Sequence, residues 1–76
     1  MYIYILTRTR TCGCDEAWGF VVTAPSPQAA RALASAEHGD EGAACWLTLA
    51  QSSCLRLGVA GKGWETGIQL KDYRAG

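Results

Sequence analysis

Four cysteines are the first residues that could carry chemistry: Cys12, Cys14, Cys45 and Cys54. Zinc takes its ligands in a tetrahedron, commonly from pairs separated by about two to four residues. The close pair Cys12-Gly13-Cys14 has one residue between its thiols, too tight for that pattern and for the two-residue spacer of a redox motif. Cys45 and Cys54 stand among Trp46, Leu47, Leu55 and Leu57, where a free cysteine acts as a small hydrophobe. The expectation is two core thiols, two exposed thiols in a tight loop, and neither metal nor cofactor. A metal-binding module is the weakest alternative.

Other reactive residues do not assemble into a set. Gly58-Val59-Ala60-Gly61-Lys62-Gly63 lacks the spacer of a phosphate loop, the hydroxyl residue after its lysine and a following helix. His38 falls at a helix end, where the dipole favours a cation. Ser26, Ser35, Ser52 and Ser53 have no nucleophile-elbow context. Asp15 and Glu16 are adjacent and would point apart. No nucleophile, base and orienter can be grouped, so the chain reads as a binding protein, not an enzyme.

Charge narrows the partners. Seven basic residues balance seven acidic ones, for a formal net charge of zero. That gives no general attraction to nucleic acid or anionic membrane, and weak repulsion between copies favours association, so a homodimer is among the expected states. Two local groups stand out. Glu37, Asp40 and Glu41 gather after a helix, and Arg8 and Arg10 near the first hairpin. Such groups are usually a solvated face; their sharper readings are an acidic patch for a basic partner and phosphate contacts.

These residues need a scaffold. Seventy-six residues, 49% hydrophobic and 18% charged, make one globular domain spanning 1–76 with a small stability margin. The pattern predicts strands at 2–8 and 17–24 joined as a hairpin. Pro25-Ser26-Pro27 then opens a helix, with Ser26 as N-cap and Pro27 in the first turn. The helix is expected over 28–38 and to end at Gly39, with Ala30, Leu33, Ala34 and Glu37 inward and Gln28, Arg31 and Ser35 outward. Residues 45–49 read as a third strand. Residues 53–59 fit a strand or a helical turn, with strand preferred, and 68–73 alternate as a last strand.

The fold class that results is α+β, a small antiparallel sheet of four to five strands with one principal helix packed on one face. The first strand is apolar on both sides, with Ile3 and Ile5 against Tyr2, Tyr4 and Leu6, so it belongs mid-sheet. One helix covers one face. The other is expected to present Tyr2, Tyr4 and Trp18 as an interaction surface. No apolar run approaches the ~20 residues of a membrane span, and Met1 to Leu6 lacks the basic leader of a signal peptide, so the cytoplasm is the expected compartment.

The strand hairpin, the "SPQAARALA" helix, the "GDEG…CWL" turn and the terminal "GIQLKDYRAG" strand together resemble small phage- and prophage-encoded proteins, including inhibitors of type I CRISPR interference complexes (anti-CRISPR proteins). The resemblance covers nearly the whole chain in layout. It implies a protein of the host bacterial cytoplasm that binds a Cascade-type complex and blocks target-DNA recruitment without chemistry. The neutral charge departs from strongly acidic DNA mimics and points to a local patch. The alternative, from another class, is a small nucleic-acid-binding or regulatory accessory protein using Arg8, Arg10 and Arg56.

Overall fold

A computed structural model describes residues 1–10 and 13–75. Its elements run β1 (Tyr2–Arg8), β2 (Glu16–Ala24), α1 (Pro27–Ala36), α2 (Ala44–Leu47), β3 (Ser52–Val59) and β4 (Gly67–Arg74). The sheet has four strands in the order β3-β1-β2-β4, and every neighbouring pair is antiparallel. The fold is α+β, with two helices of unequal length. The ambiguous run at 53–59 is a strand.

Helix α1 starts as its sequence directs. Ser26 caps it, its side-chain oxygen accepting from the Ala29 amide at 3.2 Å, with Pro27 in the first turn. It stops at Ala36, two residues before the expected end, because the chain must turn. The Glu37 amide donates to the Ala34 carbonyl, and the Asp40 amide crosses to the Asp15 carbonyl at 2.8 Å. The crossing is tight at Gly39, where a Cβ would lie 2.6 Å from the Asp15 oxygen.

The third strand expected at 45–49 is instead the single-turn helix α2. A short apolar run fits either state, and packing decides. Trp46 goes to the core edge-on against Phe20, with ring centroids 4.8 Å apart. The Thr48 hydroxyl donates back to the Ala44 carbonyl at 2.7 Å before the backbone straightens.

Alternate strand residues form the core. Tyr4, Leu6, Phe20, Val22 and Ala24 cluster with Ala30 and Ala34 of α1 and with Cys45 and Trp46 of α2. Tyr4, expected on an exposed face, is therefore a core residue with 4% exposure. The helix contributes alanines there, so its axis approaches the strands closely enough to enclose the aromatic rings.

Arg31, expected to face water, is buried. Its guanidinium donates to the Trp46 carbonyl, the Ser52 hydroxyl and the Ser52 carbonyl, each at 2.9 Å. One side chain thus ties α1 to the end of α2 and the start of β3. The interior lends it neutral acceptors in place of water.

Among the described residues, no helix is long and apolar enough to cross a membrane.

Candidate partner-binding surface

Side chains alternate across a strand, so Ile3, Ile5 and Thr7 lie opposite Tyr4 and Leu6. Register extends this second face across the sheet. Leu55 pairs with Ile5, Ile5 with Val21 and Val21 with Leu70, giving one apolar row over all four strands. Its outer members are largely exposed, Leu55 at 61% and Leu70 at 62%, while Ile5 and Val21 are half-buried by their neighbours.

The adjacent row is Ser53, Thr7, Gly19 and Asp72. Thr7 and Ser53 share a hydroxyl hydrogen bond of 2.8 Å. Gly19 has no side chain, and the space above it is a groove of about 190 Å³ between Ile5, Thr7, Trp18, Val21, Leu70 and Asp72. A Cβ at Gly19 would lie 3.0 Å from the Leu6 carbonyl oxygen, so close strand contact favours glycine there.

Trp18 walls this groove because β2 bulges. Ala17 and Gly19 pair with successive β4 residues, leaving Trp18 as the extra residue between them, and a bulge re-aims the side chain it inserts. The half-buried indole donates to the Gly13 carbonyl at 3.3 Å, and the Arg74 guanidinium stacks 4.0 Å from its centroid. Arg74 also grips Asp72 through bonds of 2.8 and 3.1 Å. Those bonds hold the Asp72 carboxyl below its ordinary range. The ring is thus held in place and the charges beside it are neutralised.

The acidic group divides in use. Glu41 turns inward. Its carboxylate accepts from the Ala17 and Gly39 amides, each at 2.9 Å, and from the Trp46 indole at 2.6 Å. Burial pushes this carboxyl up, but the bonds from Trp46, Ala17, its own amide and Gly39 outweigh it and leave it below the ordinary value. Asp40 sits at the surface crossing beside Asp15, and Glu37 approaches Lys71 at 4.0 Å. Tyr73 joins this corner, its hydroxyl donating to Asp15 at 3.4 Å. Partial desolvation and the carboxylates of Asp15, Asp40 and Glu41 push its phenol up.

The arginines do not gather into one patch. Arg8 donates to the Glu16 carboxylate at 3.0 Å and the Ala17 carbonyl at 3.3 Å. Arg56 stacks 4.7 Å from the ring of Tyr2, which packs against the core. Arg10 is exposed in the turn after β1.

Cys12 lies outside the described residues, so the Cys12–Cys14 pair does too. Cys14 is exposed, Cys45 buried and Cys54 half-buried. Burial pushes the Cys54 thiol up more than the nearby Arg31 charge pulls it down, which keeps it a thiol and a poor nucleophile. Among the described residues, no three or more His, Cys, Asp or Glu side chains group closely enough to hold a metal ion.

Of the candidate binding residues read from the sequence, Trp18 alone borders the apolar row, as a wall of its groove. Ile5, Val21, Leu55 and Leu70 were not singled out as a site, although β4 carried a signal in its alternation at Ile68-Gln69-Leu70. Their meeting depends on strand order. No family model matches this chain, and no similar curated protein or solved structure was found.

Proposed function

We propose that the helices close only one face of the sheet, and that the chain acts by docking the other face onto a protein partner, without chemistry of its own. One observation carries this reading. The row Leu55–Ile5–Val21–Leu70, with Trp18 fixed beside a groove, leaves large apolar side chains in water. Exposed apolar patches rimmed by polar groups mark interaction sites, and a pre-ordered tryptophan loses little entropy on binding.

The partner we propose is a subunit of a type I (Cascade) CRISPR surveillance complex in the cytoplasm of a bacterial host, with target-DNA recruitment blocked on binding. The layout of hairpin, alanine-rich helix and terminal strand supports this choice. So does the neutral charge, which suits an apolar patch better than overall DNA mimicry.

The test is binding of the pure chain to purified Cascade, with DNA recruitment as the readout. Leu70→Lys and Trp18→Ala are expected to weaken binding about 100-fold with the fold intact. The double change Glu37→Lys, Asp40→Lys spares the inward Glu41 and measures what the acidic corner adds. Full inhibition by a folded Leu70→Lys chain would remove the face from the proposal. A steep fall of affinity with salt would move the reading toward phosphate contacts by arginine.

A further inference from the structure

We propose that the open face of the free chain is closed by the same face of a second copy, giving a two-fold homodimer that a partner must displace. This rests on the docking reading above and names the first occupant of that site. Charge points to self-docking. The chain is neutral overall, and Asp72 and Arg74, the ion pair beside the groove, already satisfy each other. A like face therefore meets no like-charge repulsion, while a strongly charged partner finds nothing complementary.

Shape points the same way. Leu55 stands out from edge strand β3, and the groove above Gly19 lies across the sheet, one row along. A two-fold interface brings each surface feature to the partner's complement, so each Leu55 can enter the other copy's groove while the sheets stack about 10 Å apart. A standard interface takes about 800 Å² from each partner, which in a molecule of 37 × 23 × 17 Å only a broad side can offer, so the contact must run across the sheet rather than along one edge.

Sedimentation equilibrium of the full chain in reductant, over a dilution series, tests this. The wild type is expected to be a dimer. Leu55→Lys and Leu70→Lys, each made singly, are expected to raise the dimer dissociation constant about 100-fold, with unchanged circular dichroism. Leu49→Lys, at a position 82% exposed outside the row, is expected to leave it unchanged. The two leucines lie on opposite edge strands, so a dimer lost with only one of them pairs by its edge and overturns the proposal. A wild-type monomer overturns it too, as does growth into open polymers. If that monomer still binds Cascade through Leu70 and Trp18, the dimer alone has failed and the docking reading stands.

Discussion

Phe20 and Val21 are neighbours on β2, yet they belong to opposite faces with different fates. Phe20 is 2% exposed among Tyr4, Leu6, Val22 and Trp46, whereas Val21 sits half-buried in a row whose outer leucines are mostly in water. Both faces are apolar and built on the same strands. What separates them is what lies above. Ala30 and Ala34 let α1 come close to the first face, and α2 fills the remaining gap with Trp46. Two polar side chains hold those helices there. Arg31 ties α1 to α2 and β3, and Glu41 ties the α1–α2 connection to β2 and Trp46. The apolar surface supplies the driving force, and these hydrogen bonds fix where α1 and α2 meet the strands.

The comparison is broken most severely by truncating its two halves in parallel. Phe20→Ala is expected to destabilise by about 3–5 kcal/mol, because it leaves a cavity against Trp46. Val21→Ala is expected to remain within about 1 kcal/mol of wild type, since Val21 is only half-buried and lies outside the core cluster. Thermal melting of the two variants decides it, and equal losses would mean that both faces are core.

A smaller effect is expected at Arg31. Replacement by alanine strips the donors from the Trp46 and Ser52 carbonyls, and a buried acceptor left unpaired costs about 1–3 kcal/mol. Urea unfolding measures it. A neutral result would show that α1 is held by apolar contact alone.

The smallest effect is a pH dependence at Glu41. Its folded carboxyl lies below the ordinary value of 4.5. Its contribution is therefore present above that value and is lost as pH falls through the lowered folded one. The group is partly exposed and screened by water, so the amount is expected to stay below about 1 kcal/mol. Glu41→Gln should flatten the difference in stability between pH 6 and pH 3 on that scale, and melting curves at both pH values read it.

Some of the molecule was legible without coordinates. Strands β1, β2 and β4 follow from alternation and from bounding Gly and Pro, and the Ser26-Pro27 start of α1 follows from backbone groups that any helix must satisfy. The burial of Cys45 follows from its apolar neighbours. These features depend on residues a few positions apart. Alternation alone groups Trp18 with Phe20 and Val22, and only the bulge against β4 turns it to the other side. Tyr4 lies in the core, and a strand apolar on both sides does not state which side will be covered.

The amino-acid sequence by itself determined that the chain has an antiparallel sheet, a capped helix and a first strand apolar on both sides. Only the tertiary structure decided that 44–47 is helical, that Arg31 is an interior tie and that Glu41 is an inward cap. The same holds for Leu55, Ile5, Val21 and Leu70, which come from four strands and share one row. Each of these outcomes depends on partners far away along the chain, Arg31 with Ser52, Glu41 with Ala17, Leu55 with Ile5. Local propensity spans a few residues, whereas a hydrogen bond or a strand register is fixed only when distant segments meet.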